Sequence, residues 1–115
     1  MANWDKDDTI IVLYEYHLLG GTAPTMAQKE RIAKLINKSA GSVKMKMDNF
    51  ASLDPNSNRK GLEHPSRLDK EVWDKYCKDL RSLAHDAKQA KERKLDTIHN
   101  QNNSIIGRII KLFFK

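Results

Sequence analysis

Lys38, Lys44 and Lys46, Ser39 and Ser42, and Asn49 lie within twelve positions of one another, in the stretch "INKSAGSVKMKMDNFASLDP". Their side chains suit nucleic-acid chemistry. Ammonium groups and hydroxyls meet phosphate oxygens, and an amide can pair bidentately with the edge of adenine. On a helix centred inward at Val43, a step of about 100° per residue turns Gly41, Met45, Asp48 and Ser52 outward. Ser42 and Asn49 then fall on one outward flank, and Lys44 and Lys46 on the two borders. The expected DNA-contacting set is therefore Lys38, Ser39, Ser42, Lys44, Met45, Lys46 and Asn49. In it Asn49 reads a base, Lys46 holds a phosphate, and free N–H groups at the helix start add a phosphate site. Asp48 shares that face and repels phosphate unless it accepts from cytosine or pairs with a lysine. The plainer alternative is a solvated, lysine-rich surface.

These residues need a helix preceded by a tight turn, and the flanking sequence provides both. "MAQKERIAKLINK" predicts a helix capped by Thr25, with Met26, Ile32, Ala33, Leu35 and Ile36 inward. "NKS" makes the turn, and Ser39 caps the next helix, whose inner stripe is Ala40, Val43, Met47, Phe50 and Ala51. Asp54-Pro55 ends it, because a residue before proline avoids the helical region. Two helices joined in this way are a helix-turn-helix arrangement.

Upstream, Asp5 caps a first helix with a stripe of Ile10, Leu13, Tyr14, His17 and Leu18, closed by Gly20-Gly21. Downstream, "NSNRKGLEHPS" is a loop. A fourth helix starts between Ser66 and Asp69 with Val72, Trp73, Tyr76, Leu80 and Leu83 inward, and runs on through "AHDAKQAKERK" until "HNQNNS" interrupts it. No stretch has strand periodicity. The expected class is all-α: a helix-turn-helix domain over residues 1–83 and a helical extension over 84–115.

Composition narrows the partners. The 115 residues carry a formal charge of +6, with 39% apolar and 31% charged residues. Residues 1–24 hold one lysine against four acids, residues 25–60 eight basic against three acidic, residues 61–83 five against five, and residues 84–115 seven against three. A basic excess in the helix pair and the last third suits a polyanion. Cys77 is the single cysteine; it reads as a small packing residue and leaves no intrachain disulfide, as in a reducing compartment. "MANWDKDD" is no signal or transit peptide and no run is long enough to span a bilayer, so a cytoplasmic protein is expected. His17, His64, His85 and His99 are scattered, and "HNQNN" lacks the strand-turn-helix setting of a ββα nuclease. No phosphate loop, nucleophile elbow or paired carboxylates appear. The expectation is a non-enzyme without metal or cofactor.

The tail "SIIGRIIKLFFK" sets Ile105, Ile106, Ile109, Ile110 and Phe113 along one side. That much apolar surface needs cover. It can fold back on the core, pair with a second copy as a homodimer, or lie on an anionic membrane.

"NWDKDDTIIVLYEYHLL", "IAKLINKSAGSVKMKMDNFASLDP" and "GLEHPSRLDKEVWDKY" together resemble the N-terminal module of bacterial HNH-endonuclease-like restriction proteins. The likeness covers about residues 3–76, and its combination of "NFASLDP" with "S.LDKEVWDKY" is its specific part. The resemblance implies that residues 31–54 recognise or position DNA: Lys38 stands at a basic position of the pattern, Ser42 at its serine, Lys46 at its lysine, and Asn49-Phe50 at its Asn-Phe. Trp4 and Trp73 fall at aromatic positions expected to anchor the core. In that family a nuclease domain follows the module; the forty residues that follow here are too few for one. The expected function is duplex DNA binding by a regulator, or by the targeting part of a defence or mobile-element system. The alternative is a protein-interaction module or phage-borne inhibitor on the same scaffold.

Overall fold

Aspartate, threonine and serine at the predicted caps start the helices. The computed structural model describes residues 3–57 and 64–113, with side chains as far as residue 98. It is all-helical: α1 Lys6–Leu19, α2 Met26–Ile36, α3 Ala40–Leu53, α4 Arg67–Tyr76 and α5 Leu80–Phe113. Asp5, Thr25 and Ser66 each accept a hydrogen bond from the third backbone N–H of their helix. In each of these three helices the third side chain reaches back to the cap's own N–H, a reciprocal arrangement that satisfies two otherwise orphaned donors. Ser39 caps α3 through Ser42 N–H. Asn37 closes α2 in the left-handed region, at φ 56°, and only Lys38 and Ser39 separate it from α3.

α1 is the hub. It packs on α3, α4 and α5 at once. Ile10, Ile11, Val12, Leu13 and Tyr16 are all buried, while His17 and Leu18 are exposed. The single stripe predicted for α1 is thus corrected to a helix buried around most of its girth. A central helix needs apolar residues on several sides, so no one face stands out. The α3 stripe is as expected, with Val43, Met47, Phe50 and Ala51 at 1% exposure or less. In α2, Ile32, Ala33 and Ile36 are buried, but Met26 is exposed.

The last third departs from expectation in three ways. α4 stops at Tyr76, because Asp79 caps a new helix: its carboxylate accepts from Ser82 N at 3.1 Å and from Ser82 Oγ at 2.8 Å. Cys77 lies in this break and is exposed, so it is not a packing residue, and Leu80 is exposed as well. Beyond it, α5 runs unbroken through "HNQNNS". That segment has no proline to stop a helix. Finally, Ala87 and Ala90 are wholly buried in the same core as Leu83, so the core continues past residue 83. A helix of 34 residues is roughly 51 Å long at 1.5 Å per residue, which accounts for most of the molecule's 62 Å long axis. The side chains of Ile105, Ile106, Ile109, Ile110 and Phe113 lie outside the described set.

Candidate nucleic-acid interface on α3

The residues singled out on α3 and its turn divide into two groups. Ser39, Ser42, Lys44 and Met45 lie at the surface. Ser39 Oγ accepts from Ser42 N and donates to Ser42 Oγ at 2.9 Å, so the two hydroxyls brace the first turn. Met45 is 68% exposed. Lys44 Nζ is 2.6 Å from Asp48 Oδ2, one turn along the helix. The acid that would repel phosphate is therefore neutralised by its neighbour. Such an exposed pair is worth only about 0–1 kcal/mol, and the other two donors of the Lys44 ammonium can meet a second anion while the pair holds.

Lys38, Lys46 and Asn49, expected among the outward-facing residues, turn away from solvent and are engaged inside the fold. Lys46 is 6% exposed, and its ammonium lies 2.6 Å from Oδ1 of the fully buried Asp69. The ring of Trp4 covers it, with Nζ 4.6 Å from the centroid. Asn49 Nδ2 donates to Asp69 Oδ2 at 3.2 Å, and Ser66 N donates to the same oxygen at 2.9 Å. One carboxylate of α4 thus takes three donors, two of them from α3. Lys38 Nζ donates to the carbonyl of Asn3 at 2.9 Å, sits 3.5 Å from Asp8 Oδ2, and also lies near Trp4. A lysine border position is ambiguous from spacing alone; a buried carboxylate two dozen residues away decides which way it turns.

The residues that carry the resemblance meet in this same region. Phe50 stacks on Trp73 with centroids 6.3 Å apart, and Tyr16 meets Trp73 edge-on at 6.2 Å. Asp54 accepts from Tyr16 Oη at 2.7 Å and from Asn56 N at 2.9 Å. Lys46, Asn49, Phe50, Asp54, Ser66, Asp69 and Trp73 together fasten α3 to α1 and α4. Their roles here are positional: they fix the helix whose other side is exposed. Asp69 was the residue that spacing missed. Its signal was the pair Ser66 and Asp69, which marks a helix start and which also turns the Asp69 carboxylate toward α3.

The acids of α1 are engaged in the same fashion. Lys94 Nζ lies 2.7 Å from Asp8 Oδ1 and 3.0 Å from Asp5 Oδ2, and Arg93 forks onto both oxygens of Asp7. Glu15 takes Arg31 at 3.1 Å and Lys91 at 3.0 Å. Burial disfavours the charged form of Glu15, but these two cations outweigh it and hold the carboxyl below its ordinary value. Much of the basic excess of α5 is thereby spent inside the fold. Lys29 and Lys34 of α2 have no ion-pair partner among the described residues, and Lys34 is exposed.

Sequence reasoning also missed a groove away from the exposed side of α3. Two adjoining cavities of about 360 and 380 Å³ share Tyr16, His17, Asp54 and Asn56. Leu13, Trp73, Leu80 and Leu83 wall the first. Among the described residues no group of three His, Cys, Asp or Glu is placed to hold a metal ion, and no helix is long and apolar enough to cross a membrane. No family model, curated protein or solved structure matches this chain.

Proposed function

We propose that this chain binds duplex DNA through α2 and α3, used as a helix-turn-helix, in a regulator or in the targeting part of a defence or mobile-element system. The observation that carries the reading is the division of α3. One side is locked to Asp69 and the aromatic core, and the other leaves Gly41, Ser42, Lys44 and Met45 exposed or half-exposed just after a three-residue turn. A recognition helix needs that rigidity, and small residues near its N-terminus let the backbone approach the groove. In this reading Ser42 and Met45 meet base edges, while Lys44, Ser39 and Lys34 meet phosphates. Lys38, Lys46 and Asn49 position the helix and do not touch DNA. Two copies joined through the far part of α5, over Ile105, Ile106, Ile109, Ile110 and Phe113, would present two such heads.

The test is fluorescence anisotropy with a labelled random duplex across a salt series. Affinity falls steeply with salt as counterions are released, and Lys44→Ala lowers the logarithmic slope by about 1. No binding at low salt, or binding indifferent to salt, overturns the proposal. The groove beside Tyr16 and Trp73 favours a second reading, a protein-interaction module. In that case binding to a partner protein would survive Lys44→Ala and be lost on substitution of Trp73.

A further inference from the structure

Asp7, Asp8, Glu15, Asp48, Asp69 and Asp86 are buried or half-buried, and each has a basic side chain beside it. Asp54 is half-buried as well, yet among the described residues it has no ion-pair partner. It accepts hydrogen bonds from Tyr16 Oη at 2.7 Å and from Asn56 N at 2.9 Å. A carboxylate has about four lone-pair sites, so these two bonds leave it able to accept more. Asp54 lines both of the adjoining cavities, about 360 and 380 Å³ in volume. The first is mostly apolar: Leu13, Trp73, Leu80 and Leu83 wall it, and Tyr16 and Tyr76 border it. It opens to solvent, since Leu80 is 45% exposed and Asn56 and Cys77 are exposed.

We propose that this groove binds a small organic amine. Its ammonium group meets Asp54, and its apolar or aromatic body lies in the first cavity against Trp73, Leu80 and Leu83. The carboxylate selects the sign of the charge. A charge drawn partly out of water is screened less than one at the surface, so a counter-charge gains more there. The rings select an organic cation over a bare one. Trp73 and Tyr16 meet edge-on with centroids 6.2 Å apart; aromatic faces attract a cation and also offer apolar contact to the body that carries it. The size selects a small molecule, since ligand sites are usually clefts of about 300–1,000 Å³, mostly apolar, with a few convergent polar groups. Lys78 and His17 also line the first cavity, but both are exposed. An anion drawn to them would have to settle beside Asp54. The groove lies away from the exposed side of α3, and the proposal goes beyond the DNA reading without resting on it.

The experiment uses the full chain without DNA. Phenethylamine is titrated into isotope-labelled protein and followed by NMR. The Trp73 indole and Asn56 amide signals should shift saturably, with a dissociation constant of about a millimolar or tighter, which a ligand of about nine heavy atoms can reach. Signals of Ser42, Lys44 and Met45 should stay in place. Phenethyl alcohol has the same shape without the charge and should bind at least about tenfold more weakly; phenylacetate should bind more weakly still. Asp54→Asn should bring the amine down to the affinity of the alcohol, and Leu80→Ala should weaken both ligands alike. Equal affinity of the parent protein for amine and alcohol overturns the proposal, whether or not Asp54→Asn folds. So does an unchanged affinity in a folded Asp54→Asn variant, or the absence of a saturable shift at Trp73. Tighter binding of Nα-acetyl-lysinamide than of phenethylamine overturns the small-molecule assignment and gives the site to a lysine side chain of a peptide. No readout involves DNA, so the groove can fail while the DNA reading stands, and the reverse.

Discussion

Lys46 carries the clearest lesson at the scale of single residues. From spacing it is a border lysine fit for a phosphate; in the fold it is the buried partner of Asp69. A charge at such a place is tolerated only with its counter-charge and its hydrogen bonds intact. Lys46→Met keeps the aliphatic stem beneath Trp4 but strands the Asp69 carboxylate, and urea unfolding should show a loss of about 3–5 kcal/mol. Asn49→Ala removes one hydrogen bond to a charged group and should cost about 1.5–3 kcal/mol. Both variants, measured at a temperature where they remain folded, should bind DNA as the parent does, whereas Lys44→Ala should not. A stable Lys46→Met variant with weakened DNA binding would reverse these assignments. The types of residue at the site were legible in the sequence. Which lysines face water was not, because a border position is resolved only by a partner on another helix.

At the scale of elements, the caps were legible and the ends were not. Asp5, Thr25, Ser39 and Ser66 all start helices as their side chains dictate. Asp79 does the same thing in "DLRS", yet its apolar surroundings read as one continuous helix. "HNQNNS" reads as a break because of its weak formers, yet a weak former within a helix costs only some tenths of a kcal/mol and does not end it. The turn into α3 depends on Asn37 in the left-handed region. Glycine there should be neutral or slightly stabilising. Valine, whose branched side chain crowds the following carbonyl in that region, should lower stability by about 1–2 kcal/mol and blur the placement of α3. Thermal unfolding followed by circular dichroism distinguishes the two, and equal melting temperatures would discount the turn as the device that aims α3.

At the scale of the whole molecule, the acidic first helix and the basic fifth helix cancel each other. The charge asymmetry was plain in the sequence, but its destination was not: composition suggests an external polyanion, while Lys91, Arg93 and Lys94 serve internal carboxylates. This arrangement sets a pH dependence. Burial tends to raise Asp5 and Glu15, but hydrogen bonds and nearby cations hold both below their ordinary values in the folded state. Carboxyls depressed on folding stabilise the protein above their unfolded pKa values, and that contribution is lost as pH falls through the folded ones. The melting temperature should therefore hold near neutrality and drop sharply on acidification to about pH 3. Lys94 shifts the other way: burial lowers it, but Asp8 and Asp5 raise it overall. Its contribution persists through neutrality and fades only as pH rises through its elevated value. A melting temperature unchanged at about pH 3 would argue that the α1–α5 ion pairs contribute little.

The same pairing orders events in time. The side-chain bonds between α1 and α5 join residues 76 to 89 positions apart. During synthesis, at roughly 5–20 residues per second, α1 emerges several seconds before its last partner exists. Through that interval its apolar girth, Ile10 to Leu13, has nothing from α5 to rest against. The nascent chain is then at its most exposed to chaperones and to self-association, and it can close only once the ribosome has passed the segment that carries Lys91 and Lys94.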